Sequence, residues 1–175
     1  MRPVRLLYFS RNKLDTSQGG LPEHVSQIVA KSVANNRKVD ISGGLIFSGE
    51  WFAQALEGDR VAVADTFARI ERDDWHGEIT VIESRTIESR RFGFWWMAAA
   101  GWSADAATIF KQYCGTERFD PRRLDGERMC DLIAAVIEHQ MNNRTSESAS
   151  HWLSAWRTRE KVATPAPRSK ILSAA

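Results

Sequence analysis

The chain has 175 residues, 43% of them hydrophobic and 26% charged, which suffices for one globular domain with a modest core and some appended structure. A formal net charge of +2 is too small for a nucleic-acid surface, and the basic cluster of Arg157, Arg159, Lys161, Arg168 and Lys170 reads as a solvated tail. Two distant cysteines, Cys114 and Cys130, without metal-ligand spacing or a secretory signal, point to reduced thiols in a cytoplasm, and no apolar run is long enough to span a membrane.

Residues 4–9 form the first strand-like run and end at Ser10-Arg11. Residues 12–22, with Gly19-Gly20, have loop composition. Pro22 and Glu23 suit the first turn of a helix whose apolar positions Val25, Ile28, Val29 and Val33 recur until Asn35-Asn36 interrupts the pattern. Residues 41–47 and 51–56 are strand-like and joined by Ser48-Gly49-Glu50, the length of a hairpin connection. Residues 61–73 follow as a second amphipathic helix, with Val61, Ala64, Phe67, Ala68 and Ile70 as its stripe. Residues 79–82 alternate in polarity, residues 83–91 are polar, and residues 94–100 are the most apolar run in the chain. The order β-α-β-β-α-β-β predicts an α+β, ferredoxin-like sheet with both helices on one face.

Beyond Trp102 the chain becomes helical in character over residues 104–113 and 124–141, the latter with a stripe of Met129, Leu132, Ile133, Val136 and Ile137. These helices are expected to cover the second face of the sheet or, as the second alternative, to make a partner surface. From Asn142 onward the composition is that of a disordered segment, broken by a short amphipathic turn around Trp152 and Trp156. The expected organisation is a domain over residues 1–102, a helical extension over 103–142 and a flexible basic tail over 143–175.

One residue breaks the pattern of the buried strands. In Phe52-Ala53-Gln54-Ala55-Leu56, alternation puts Gln54 on the same side as Phe52 and Leu56, where an amide is costly unless it is hydrogen-bonded. Tyr8 stands in another strand-like run. On the first helix Ile28, Ser32, Asn35 and Asn36 share a side, and on the second Arg69 and Asp73 are one turn apart beside Ile70. A groove between such helices has apolar walls with convergent amide, guanidinium and carboxylate groups, the makeup of a pocket for a flat heteroaromatic ligand. Taken singly, Asn35-Asn36 reads as a helix stop, Arg69 with Asp73 as an exposed pair, His76 as a surface residue, and Trp95 with Met97 as core filler.

Jointly, Tyr8 with Ser10-Arg11, Asn35-Asn36, Ile41-Ser42-Gly43, Phe52-x-Gln54-x-Leu56-Glu57-Gly58, Arg69-Ile70 with Asp73 and His76, and Trp95-x-Met97 resemble the BLUF domain, a blue-light sensor module that binds FAD. The resemblance runs from Val4 to about Trp102. It implies that Tyr8 is the photochemical electron donor, Gln54 the hydrogen-bond switch between Tyr8 and the flavin, and Asn36 a ligand to the flavin's polar edge. It further implies a flavin site built from Ile28, Ser32, Asn35, Phe52, Arg69, Ile70, Asp73 and His76, with Ile28 and Ile70 sandwiching the ring. Strand alternation would place Trp95 with Met97 on the flavin side, where both would sense the Gln54 rearrangement and pass it to the C-terminal helices.

The expected activity is light sensing rather than catalysis. Its output would be a protein partner, with cyclic-di-GMP phosphodiesterases, transcriptional regulators and response-regulator-like proteins as the targets that the resemblance implies, and with homo-oligomers also expected. Two rivals share the architecture. A small phosphatase of the acylphosphatase type would need an anion-binding loop, faintly suggested by Ser10-Arg11 and Gly19-Gly20, and a non-photoactive interaction module would not need Tyr8 and Gln54.

Overall fold

Alternating apolar runs make two-faced strands, and here both faces find a cover. The computed structural model describes residues 2–14, 21–101 and 103–143. Its elements are β1 (Val4–Asn12), α1 (Leu21–Lys38), β2 (Ser42–Phe47), β3 (Trp51–Gly58), α2 (Arg60–Ile70), β4 (His76–Thr86), β5 (Ala98–Gly101), α3 (Ala107–Cys114) and α4 (Gly126–Asn142). The strands form one five-stranded sheet in the order β4-β1-β3-β2-β5. All neighbours are antiparallel except β2 and β5, so the ferredoxin-like arrangement carries an extra parallel edge strand.

Period two separates the cores. Val4, Leu6 and Tyr8 of β1, Phe52 and Leu56 of β3, and Leu45 and Phe47 of β2 pack beneath Val25 and Val29 of α1 and Val63 and Phe67 of α2. Leu7, Phe9, Ala53, Ala55, Ile46, Ala98 and Ala100 point the other way, against Phe110 of α3 and Leu132, Ile133, Val136 and Ile137 of α4. The C-terminal helices therefore do cover the second face. Small residues let α4 lie close: a Cβ on Gly44 would stand 2.8 Å from Ile133 Cγ2 and 2.9 Å from Ile137 Cδ1. No helix among the described residues is long and apolar enough to cross a membrane.

Local chemistry sets the element ends. Asp59 caps α2 by accepting from the Val61 and Ala62 amides, and Asp125 caps α4 by accepting from Arg128 N–H. In the β2–β3 turn the Ser48 hydroxyl accepts from the Glu50 and Trp51 amides. Gly115, at φ 74°, ends α3 in the left-handed conformation that glycine adopts without penalty.

Four boundaries depart from expectation. Asn35-Asn36 does not stop α1; the Asn36 carbonyl accepts from both Val39 and Ile41 amides, and the reversal occurs at Asp40, whose φ is 51°. α2 closes at Ile70, so Asp73 lies in the following turn rather than on the helix. β4 begins at His76 and runs through the polar residues 83–86, because Val4 and Arg5 of β1 pair with Thr86 and Arg85. Residues 94–97 are not a strand: the Trp95 amide turns back to the Phe92 carbonyl at 3.0 Å, and pairing with β2 starts only at Gly44 and Ala98. The Gly19-Gly20 loop, the turn around Trp152 and Trp156, and nearly all of the basic tail lie outside the described residues.

Because Ile133 is fully buried between α4 and the sheet, Ile133→Ala should lower stability by about 2–5 kcal/mol, with a correspondingly lower urea midpoint. An unchanged midpoint would mean that α4 does not form a core with the sheet.

Candidate functional site

Gln54 stands at the centre of β3, directly opposite Tyr8 on β1 and Leu45 on β2. The Tyr8 hydroxyl donates to Gln54 Oε1, and Gln54 Nε2 donates to Met97 Sδ at 3.3 Å. The amide thus links β1, β3 and the segment that leads into β5. Gly43 makes this possible, since a Cβ there would stand 3.1 Å from Met97 Cε and 2.4 Å from the Ala55 carbonyl oxygen. Tyr8 is fully buried, with the Phe67 ring 5.2 Å away. Burial, and secondarily the charge of Asp73, push its pKa well above the usual phenol range, so the phenol keeps its proton.

Gln54 also borders a cavity of about 310 Å³ between the sheet and its two crossover helices. α1 contributes Ile28, Lys31, Ser32, Asn35 and Asn36; the sheet contributes Leu45, Phe52, Gln54 and His76; α2 and its exit turn contribute Thr66, Arg69, Ile70, Asp73 and Trp75. Arg69 is steadied by Thr66, whose hydroxyl accepts from Nη2 at 2.8 Å. The Asp73 carboxylate accepts from the Trp75 amide at 3.2 Å, which shapes the turn rather than pairing with Arg69. Asn36 is 2% exposed and donates from Nδ2 to the Trp96 carbonyl at 2.8 Å.

His76 opens β4 and is half-buried, not a surface residue. Its Nδ1 lies 2.8 Å from Ser10 Oγ, and its ring packs 5.1 Å from Phe52 and 6.1 Å from Tyr8. Burial lowers its pKa, an effect that Asp73 partly offsets.

The structure brings Ile28, Ser32, Asn35, Asn36, Phe52, Gln54, Arg69, Ile70, Asp73 and His76 together around one cavity. Tyr8 lies behind Gln54 rather than on the cavity wall, and Met97 touches the site through the amide. Trp95 is elsewhere. It packs against the core beneath α3 and α4, 6.5 Å from the Phe92 ring, because residues 94–97 do not follow the strand alternation that would have placed it beside Met97. Sequence reasoning missed Lys31, Leu45, Thr66 and Trp75. Helical spacing from Ile28 to Lys31 and from Thr66 to Arg69 carried the signal for two of them, whereas Leu45 depends on the β2–β3 register.

A family profile described as sensors of blue light using FAD matches residues 4–98. The chain is similar to the photoactivated adenylate cyclase subunit beta of Euglena gracilis, 27% identical over 93 residues that cover 53% of this chain and 11% of that one. It therefore spans only about a tenth of that relative's length. Among solved structures, the dark state of the BLUF protein BlrB is 27% identical, covers 79% of this chain and 97% of its own, and superposes with a TM-score of 0.64. BlsA in its photo-activated state shares the fold, at 24% identity and a TM-score of 0.67, over 77% of this chain and 94% of its own. With the profile match spanning more than half of its residues, this chain belongs to the BLUF family of blue-light sensors that use FAD.

Proposed function

We propose that the Tyr8–Gln54–Met97 chain is the light switch of this sensor, and that its rearrangement reaches a protein partner through residues 92–97 and the C-terminal helices. The observation that carries this reading is one amide bonded on both sides at the wall of the cavity. A volume of about 310 Å³ suits a flat ring system rather than a whole dinucleotide. Ile28 and Ile70 would flank the ring, Asn35, Asn36 and Gln54 would meet its polar edge, and Arg69 and Lys31 offer positive charge toward phosphates. Bound FAD supplies the blue-light absorption and the redox chemistry that begin the response.

The protein's own part follows from amide chemistry. Tyr8 holds its proton in the dark, and the hydroxyl is aimed at Gln54 Oε1. A primary amide donates through nitrogen and accepts through oxygen. If the Gln54 amide reverses, nitrogen faces the Tyr8 oxygen, and oxygen faces the Met97 thioether, which has no proton to give. The bond to Met97 is then lost, and the segment before β5 loses one of its ties to the site. Two arrangements of one side chain thus become two arrangements of a surface.

On this reading the chain is a sensory module and not an enzyme, with residues 1–102 sensing light and residues 103–142 forming its output. The phosphatase rival is disfavoured because Ser10 is fully buried and engaged by His76 rather than free to bind an anion. The output is an effector protein; association of this chain with itself and residence in the cytoplasm complete the proposal.

Purified protein loaded with FAD should show a reversible red shift of its flavin absorption under blue light. Tyr8→Phe and Gln54→Leu should each abolish that shift while FAD stays bound; a shift like that of the unaltered protein in either variant would reject the switch. His76 yields a second expectation. Its folded pKa is lowered from 6.5, so below that pH the unfolded chain binds a proton that the folded chain resists. Stability from this group is present above pH 6.5 and lost as the pH falls through that value toward the folded pKa. The midpoint of thermal unfolding should fall less steeply with acidification in His76→Gln, and equal slopes would show that His76 is not buried against Phe52 and Tyr8.

A further inference from the structure

The strand pair that carries Tyr8 opposite Gln54 carries a second directly opposed pair, Arg5 and Glu57, three residues before Tyr8 on β1 and three after Gln54 on β3. An odd offset sends these side chains to the other face of the sheet. There Glu57 is 0% exposed and Arg5 7% exposed. Arg5 Nε donates to Glu57 Oε1 at 2.8 Å, and Nη2 lies 2.7 Å from the same oxygen. The second carboxylate oxygen, Oε2, accepts from the Phe92 amide at 2.9 Å.

Phe92 lies in the irregular connection between β4 and β5, and residues 92–97 are its second half, ending at Met97. The segment is tied along its length: the Trp95 carbonyl accepts from Gly43 N–H at 3.1 Å, the Trp96 carbonyl accepts from Asn36 Nδ2 at 2.8 Å, and Met97 Sδ accepts from Gln54. β1, β3 and this segment are therefore stitched together twice. Tyr8–Gln54–Met97 does so on the cavity face, and Arg5–Glu57–Phe92 does so on the opposite face.

We propose that Glu57 is a positioning residue of the light-sensing site: its carboxylate fixes the start of the 92–97 segment and thereby sets where the Met97 sulfur stands against Gln54. This rests on the switch reading above and adds a residue that lies outside the cavity. A carboxylate suits the task because each oxygen accepts a separate bond, one of them charge-assisted, and Arg5 neutralises the charge that burial would otherwise make costly. The fixed end is also the end on α4, since the Phe92 ring is fully buried and meets the same spot above Gly44 as Ile133 and Ile137. Glu57 thereby joins the segment that Gln54 holds at Met97 to the Phe92 ring that packs against α4, so that a release of Met97 is felt at Phe92.

The test replaces the buried pair in two ways, because removing one partner alone would strand a buried charge. Arg5→Met with Glu57→Leu substitutes apolar residues of similar size and removes the acceptor for Phe92 N–H. Arg5→Met with Glu57→Gln restores an acceptor oxygen without the charge. Both are loaded with FAD and read by recovery of the lit form in darkness and by the Met97 methyl NMR resonance in the dark. The Leu variant should shift the Met97 resonance and change the recovery rate by about tenfold, and the Gln variant should return both to within about twofold of the unaltered protein. Met97→Leu should alter recovery in the unaltered background and add nothing in the Leu background. Unchanged recovery and resonance in the Leu variant, or equal perturbation in both variants, would overturn the proposal. If the Leu variant does not fold, the Gln variant decides alone: values like those of the unaltered protein support the role, and perturbed values refute it. Unaltered protein that binds FAD without responding to light would instead remove the switch reading, leaving the dark Met97 resonance to judge where Glu57 places the segment.

Discussion

A buried primary amide must satisfy both its nitrogen and its oxygen, and everything around Gln54 answers to that constraint. Tyr8 supplies a donor to the oxygen from one neighbouring strand, and Met97 supplies a soft acceptor to the nitrogen from the segment before β5. The Met97 contact does not lock the amide: a thioether is a weak acceptor, so the cost of leaving it is small. The amide is satisfied but not locked. That is the energetic condition that the proposed switch between two arrangements requires.

The rest of the fold serves to keep this amide dry and its partners in register. Because the strands bury both faces, the cavity face is closed by α1 and α2 and the opposite face by α3 and α4. The second cover does more than complete a core. It seats Phe92, from which residues 92–97 lead to Gln54, between α4 and the sheet, and this is the route by which the proposed switch would reach the C-terminal helices. Low dielectric on both sides also strengthens the polar contacts that remain.

Much of this was legible in the residues because period two and period 3.6 are strong signals in strands and helices packed on a core. Gln54 announced itself as a polar break in an apolar strand. Glu57, two residues before the point where β3 gives way to α2, carried the same kind of signal, but its partners Arg5 and Phe92 come from distant parts of the chain and only the strand register brings them together. The misplaced Trp95 has a related cause. An apolar run such as residues 94–100 looks like a strand throughout, yet hydrogen bonds from the Trp95 amide to Phe92 and from Gly43 to Trp95 turn its first half out of the sheet. Likewise, asparagines marked as a helix stop stay helical because Asn36 gains a buried bond to the Trp96 carbonyl, and Asp40 takes the left-handed turn instead.

The central claim is that light changes the partners of one amide. The most direct measurement follows the Gln54 side-chain amide resonances by nitrogen-15 NMR in FAD-loaded protein, in darkness and under blue light. The account predicts resonances that move under light and return in the dark, with no such movement in Tyr8→Phe. Gln54 resonances that stay fixed while the flavin absorption shifts would contradict it.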